Sequence, residues 1–435
     1  MLTAFARAFR TPDLRRKLLF TMAIMAIFRL GSFIPTPGVS YQAVRQCINL
    51  SQGDSAGLYR LVNLFSGGAL LQLSVFALGI MPYITASIII QLLTVVIPRF
   101  EALKQEGQSG TTKLTQYTRY LTIGLAILQS TTLAAIARTP GALFGSQCQA
   151  SLVPNDSIYT VLLMVITMTA GTGLIMWLGE LITEKGVGNG MSLLIFTSIA
   201  AGFPGSLWAI KQSNGVNTMV VVIAIGLVIT GLVVFVEQCQ RRVPVQYAKR
   251  MIGRRMYGGT STYIPIKVNM AGVIPVIFAS SLLYLPALVA QFQHNSTAGW
   301  VTWIQTNFVR GDHPVYIIAY FALIIFFTYF YVAITFNPDE VADNMRKYGG
   351  FIPGIRSGRP TAEYLDYVLT RITAPGSLYL GVISLIPLIA LILVNANNRF
   401  PFGGTSILIV VGVGLETVKQ IESQLQQRHY EGFLR

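Results

Sequence analysis

A chain of 435 residues that is 53% hydrophobic and only 11% charged does not fit an average soluble domain, in which roughly a quarter of the residues are charged. Its formal net charge of +15 invites a nucleic-acid reading, but the basic residues sit between apolar runs, which points to a membrane surface instead. The three cysteines and three histidines share no metal-ligand spacing, so neither a metal site nor a cofactor is expected.

Taken in chain order, Met1 to Lys17 is a basic amphipathic lead-in. The apolar run after it leads into another loop rather than a small-residue cleavage site, so the first span is expected to be an uncleaved anchor. Ten apolar runs follow, at roughly 18–35, 76–97, 115–137, 158–179, 188–209, 216–236, 269–292, 314–336, 374–395 and 405–422. The clearest, Val216 to Val236, has no charged side chain and no polar face. At about 1.5 Å rise per residue it matches the hydrocarbon thickness of a bilayer. The fold class expected is therefore an all-α integral membrane protein of ten transmembrane helices. It divides into an N-terminal half (1–212, spans one to five) and a C-terminal half (213–435, spans six to ten). Five spans per half would make the halves inverted and pseudo-symmetric, by span counting alone.

An even number of spans places both termini on one side. That side collects most of the 32 lysines and arginines: those before span one, those in 98–119, Lys185, those in 241–267, those in 346–371, and those at the C-terminus. The other side keeps Arg45, Arg60, Arg138, Lys211, Arg310 and Arg399, while Arg29 lies within the first span. The asymmetry puts both termini in the cytoplasm. Cys47 and Cys148 could face the same side, which leaves a disulfide open, with free thiols the simpler expectation.

Between spans one and two, Leu61 to Gln72 is apolar enough to enter a membrane and too short to cross it. Ser66-Gly67-Gly68 interrupts it, and Asn63 and Gln72 add polar groups. Such a segment reads as a re-entrant half-helix, which needs a water-filled vestibule inside the bundle. A helix lying on the outer surface is the plainer alternative. Two loops on the basic side are long, at about 237–268 and 337–373. The first, of mixed β-prone and turn-prone sequence, carries Arg241, Arg242, Lys249, Arg250, Arg254 and Arg255. The second sets Arg356 among Gly349-Gly350, Pro353-Gly354 and Gly358. Topology alone needs only a few charges, so the length favours a shaped docking surface over a solvated tail.

No paired carboxylates, His cluster or Ser/His arrangement appears at membrane depth, so catalysis is not expected. The run Gly186-Val187-Gly188-Asn189-Gly190 lacks the lysine and hydroxyl of a phosphate loop, and reads as a strained, close-packed start to span five. Aliphatic residues instead neighbour helix breakers, at Gly79-Ile80-Met81-Pro82, at Val273-Ile274-Pro275, and at Gly403-Gly404 ahead of Ile409. An apolar constriction of that kind can gate by dewetting, although any one isoleucine is more often ordinary packing.

Several motifs then carry a resemblance: Phe28-Arg29-Leu30-Gly31, Asn63-Leu64-Phe65-Ser66-Gly67-Gly68, the run Phe76 to Val96, Gln116-Tyr117-Thr118-Arg119-Tyr120 and Met176-Trp177-Leu178-Gly179-Glu180. They continue with Tyr247-Ala248-Lys249-Arg250, Lys267 to Ser281, Phe336-Asn337-Pro338 and Phe402-Gly403-Gly404-Thr405-Ser406. Together and in order, these resemble the SecY family of the bacterial Sec translocase, including its cyanobacterial and plastid-like members.

The resemblance implies an hourglass of ten helices that opens sideways between spans two and seven. Its waist would be Ile80, Ile84, Met191, Ile195, Ile277 and Ile409, with Met191 departing from the family's branched side chains. A plug half-helix at about 59–74 would include Asn63, Phe65, Ser66, Gly67 and Gly68. Thr85, Ser280 and Ser281 would line the lateral gate. Arg241, Arg242, Lys249, Arg250, Arg254, Arg255 and Arg356 would meet the SecA ATPase or the ribosome. SecE and SecG would be small membrane subunits, signal-sequence-bearing polypeptides the cargo, and membrane lipid the sink for apolar segments. The membrane expected is the cytoplasmic one, with a thylakoid membrane as a further location. The function expected is a passive polypeptide channel driven by a partner; a small-solute secondary transporter is the alternative.

Overall fold

The computed structural model describes residues 9, 11–50, 68–70, 72–138, 151–155, 157–247, 250–252, 255–257, 261–292, 299–304, 307, 313–394 and 404–431. Helix α1 (Pro12–Gly31) opens with proline in its first turn, where no backbone N–H is needed, and closes where both the N–H and the hydroxyl of Ser32 bond to the Phe28 carbonyl. After α2 (Tyr41–Leu50) and the turns of 72–80 comes α3 (Met81–Val96), again with proline in its first turn. It stops at Ile97, which is extended because Pro98 disfavours helix in the residue before it, and α4 (Pro98–Gln105) departs at 100°. The bundle continues with α5 (Gln108–Ala137), α6 (Ile158–Lys185), α7 (Gly190–Gln212) and α8 (Gly215–Gln238). Helices α7 and α8 join at Gly215, whose φ of 84° only glycine adopts freely.

In the C-terminal part, α9 (Ile274–Phe292), the short α10 (Gly299–Ile304), α11 (Pro314–Thr335), α12 (Pro338–Lys347), α13 (Arg359–Val394) and α14 (Gly404–Glu431) follow. Many hydroxyls inside the helices are satisfied locally. Thr85, Thr122, Thr328 and Thr373 each donate to the carbonyl four residues back, so they need no water. Helix α8 shows what the surroundings are: Val220, Val221, Leu227, Val228, Leu232 and Phe235 are all exposed on it. A purely apolar exposed helix is stable only against lipid.

Two boundaries and one thiol differ from expectation. All ten expected spans fall on helices, but among the described residues six helices are long and apolar enough to cross a membrane, or seven if the bent α3–α4 pair is one crossing. Charges dilute α1 (Arg15, Arg16, Lys17, Arg29) and α14 (Glu416, Lys419, Glu422). The second span starts at Met81 rather than at 76, because Gly79 turns the chain at φ 55° and Pro82 nucleates afresh. Of the expected plug, Asn63, Phe65, Ser66 and Gly67 lie outside the described residues. Gly68 and the residues up to Ser74, where described, form turns rather than helix. They are pinned by a Pro35–Ser74 bridge and by bonds from the Thr36 N–H and hydroxyl to the Leu73 carbonyl. Lastly, Cys47 is disulfide-bonded while Cys239 is free, so the free-thiol reading fails at Cys47.

The helical class holds, with an addition that composition did not announce. The two long loops are not loose. Strands β1 (Gln240–Tyr247), β4 (Ser261–Lys267) and β5 (Gly350–Phe351) make an antiparallel sheet in the order β4-β1-β5, and β2 (Arg250–Ile252) pairs with β3 (Arg255–Tyr257) as a ribbon. Alternation along β1 buries Val243 and Val245 against Ile266, Met345, Ile352 and Leu365, while Arg241 and Arg242, at the start of the strand, are exposed. The two loops thus share one core.

Candidate functional site: an apolar waist between two sets of helices

Ile80 caps the start of α3 and Ile84 lies one turn on, its N–H bonded to the Ile80 carbonyl at 3.1 Å. Spacing of four puts both on one face. Met191 and Ile195 repeat the arrangement at the start of α7. There Asn189 caps the helix through the Met191 N–H at 3.1 Å, and the Gly190 N–H donates to the Thr183 hydroxyl at 2.9 Å. A side chain at Gly190 would run into the Gly179 carbonyl, so the glycine lets α7 begin flush against α6. Ile277 sits in the first turn of α9, and Ile409 in α14 at 1% exposure.

These six side chains, drawn from four helices and spread from 80 to 409, meet in one hydrophobic cluster. Ile80, Ile195, Ile277 and Ile409 are buried in it, and Ile84 and Met191 pack against it partly exposed. Ile24, Phe28, Phe76, Leu178, Leu194 and Val413 are among its other members. Nothing in it is ionisable except the half-buried Tyr83. Among the described residues, no group of three His, Cys, Asp or Glu side chains gathers to hold a metal.

Helices α3 and α9 touch along the seam between the two sets. Thr85 on α3 and Ser280 and Ser281 on α9 are all buried. Thr85 donates to the Met81 carbonyl at 3.0 Å and Ser280 to the Ile277 carbonyl at 2.8 Å, while the Ser281 hydroxyl has no partner among the described residues. The greater part of the seam is aliphatic. Ile84, Ile88 and Leu92 on α3 belong with Val273, Val276 and Phe278 in a second cluster that also takes in Phe327 and Leu408. Sequence reading missed Ile88, Leu92 and Phe278; the four-residue spacing 84, 88, 92 was the available signal.

A charged pair crosses between spans, Arg119 to Glu180, by two parallel bonds of 2.8 Å linking α5 to α6. Such a fork is the strong form of a charge-assisted bond. It engages both oxygens of the Glu180 carboxylate, which makes the group a structural tie between the two helices.

On the sheet end, Arg241 and Arg242 are exposed, with the Arg242 guanidinium 4.8 Å over the Tyr263 ring. Arg250 pairs across the ribbon with Tyr257, and Ile252 with Arg255. Lys249 and Arg254 lie outside the described residues. Arg356 is exposed on a loop shaped by Gly354 at φ 84° and Gly358 at φ 107°, and its carbonyl accepts from the Thr361 hydroxyl at 2.9 Å. Because β5 leads into this loop and pairs with β1, the segments carrying Arg241, Arg242 and Arg356 are joined through one sheet.

Comparison with known proteins agrees with this geometry. The family model described as SecY matches residues 74–418. The protein translocase subunit SecY of Streptomyces scabiei is 71% identical over 441 residues, covering all of both chains. Those of Micrococcus luteus and Mycobacterium tuberculosis are 60% and 59% identical, again over both full lengths. Among solved structures, one described as a protein-conducting channel matches with TM-score 0.63 at 17% identity, covering 94% of this chain and 91% of the other. Sec61 in the canine ribosome–channel complex matches with TM-score 0.59 at 16% identity over the same shares. At such identities these two likenesses speak to the fold.

Proposed function

Because this chain belongs to the SecY family, we propose that it is the protein-conducting channel subunit of a translocase, passing unfolded secretory polypeptides through its centre and releasing apolar segments sideways into lipid. The observation that carries the reading is the convergence of Ile80, Ile84, Met191, Ile195, Ile277 and Ile409 into one apolar cluster between the helices. A greasy waist binds no particular side chain, so it suits a cargo whose sequence varies without limit, and it resists hydration when empty. The helix pair α3 and α9 is the lateral gate, with Thr85, Ser280 and Ser281 its polar points. Hydrophobic segments leave through it by partitioning, and a charge at the segment's centre opposes exit by about 2.5–3.5 kcal/mol.

Energy comes from outside the chain. The basic face holding Arg241, Arg242, Arg250, Arg255 and Arg356, with Lys249 and Arg254, receives the SecA ATPase or the ribosome; SecE and SecG are the small membrane partners. The segment around 59–74 acts as the plug. The chain is a multi-pass protein of the cytoplasmic membrane with both termini inside, organised as two inverted halves, 1–212 and 213–435. Reconstitution with SecE, SecG, SecA, ATP and a preprotein tests the whole reading. Protected preprotein inside the vesicles is expected; its absence alongside saturable uptake of a small solute would favour a secondary transporter instead.

A further inference from the structure

The gate helix α9 is reached from β4 through a tight turn, 268–273, and that turn is held by an unusual set of buried polar groups. The Val268 N–H donates to the Cys239 carbonyl at 3.0 Å, and Gly272 turns at φ 62°. Asn269 is 4% exposed. Its amide nitrogen donates to Glu237 Oε1 at 2.6 Å, at the end of α8, and to the Gly272 carbonyl at 3.1 Å. Both partners only accept, so the nitrogen must face them, and Oδ1 is left buried without a partner among the described residues. On α13, Gly376 packs directly on the Val268 backbone. One turn further along, the Tyr379 hydroxyl is buried, has no partner among the described residues, and lies within electrostatic reach of Glu237. Lys267 and Lys419 act on the same carboxylate from the other elements.

One buried donor is thus engaged with Glu237, and a second buried hydroxyl, on the helix packed against the turn, is idle. We propose that Glu237, Asn269 and Tyr379 form a two-position latch at the hinge of the gate helix. In the packed state seen here, Asn269 holds the start of α9 to α8. When α9 swings from α3, the Asn269 amide leaves, and the Tyr379 hydroxyl takes over the carboxylate. Without a replacement donor, opening would strand a desolvated carboxylate; with one, the hinge has two discrete arrangements, as a switching element requires. The latch rests on reading the α3–α9 seam as the lateral gate, and it gives Asn269 and Tyr379 positioning roles of opposite sign.

The test uses the reconstituted complex with SecA and ATP, and two preproteins: one with an intact signal sequence, one whose signal core is made less apolar. N269A should raise the ratio of defective-signal to intact-signal translocation about tenfold, the worth of one charged hydrogen bond. The isosteric N269D, which sets carboxylate against carboxylate, should move the ratio the same way and serves if N269A does not fold. Y379F should slow the intact preprotein without raising the ratio, and E237Q, whose side chain still accepts from Asn269 but without the charge, should raise the ratio by less than N269A. An unchanged ratio in the folded Asn269 variants, or Y379F moving with N269A, overturns the latch. Failure of the wild-type complex to translocate the intact preprotein would instead overturn the channel reading.

Discussion

Ile84 and Ile277 sit where chemistry and packing make different demands. Both belong to the central cluster, one partly exposed and one buried, and neither has a polar neighbour in it. Replacing both with Asn should let water wet the waist, since an amide lowers the cost of hydrating it. Single-channel recording in planar bilayers should show a raised resting leak; an unchanged leak would remove these two residues from the waist. Met191 calls for the opposite test. As an unbranched, pliable side chain it is expected to seal less tightly than a branched one, so M191I should lower any residual leak. Identifying these positions needed motif matching: periodicity alone cannot separate an isoleucine facing the centre from one facing lipid, because both environments are apolar.

Helix starts and loop shapes carry the next level. Gly190 brings α7 against α6, and a Cβ there meets the Gly179 carbonyl. Because backbone cannot yield as a side-chain tip can, G190A should cost about 1–3 kcal/mol, the usual range for overpacking. Thermal unfolding in detergent measures it, and an unshifted transition would mean that α7 can slide. The glycine-rich run there was legible as a close-packed helix start, and it is one. The long loops were legible only as basic and extended. Their sheet depends on β5, two residues that no local pattern marks, pairing with β1 about a hundred residues earlier. R356E should cut SecA-driven translocation while leaving the melting transition in place, since Arg356 is exposed and its side chain supports no core. Its effect should shrink with rising salt, as screening weakens a surface contact. Normal translocation by that variant would take Arg356 off the docking face.

At the scale of the whole chain, the proposed lateral exit requires α3 to separate from α9, and the clusters that bind them are made of aliphatic and aromatic side chains. A cysteine pair replacing Ile88 and Phe278, if oxidised across the seam, should arrest translocation and recover on reduction; full activity in the oxidised form would place the exit elsewhere. Long apolar runs without charge declared the membrane from the sequence alone, because a bilayer admits only helices or closed barrels and these runs have helical length. The asymmetry of lysine and arginine likewise suggested an orientation, since that bias is a property of composition and needs no coordinates. Tertiary structure alone decided which aliphatic residues meet at the centre, how two distant loops become one sheet, and that Asn269 binds Glu237. Each of those depends on pairings across tens to hundreds of residues, and in a chain surrounded by lipid the hydrophobic pattern no longer tells inside from outside.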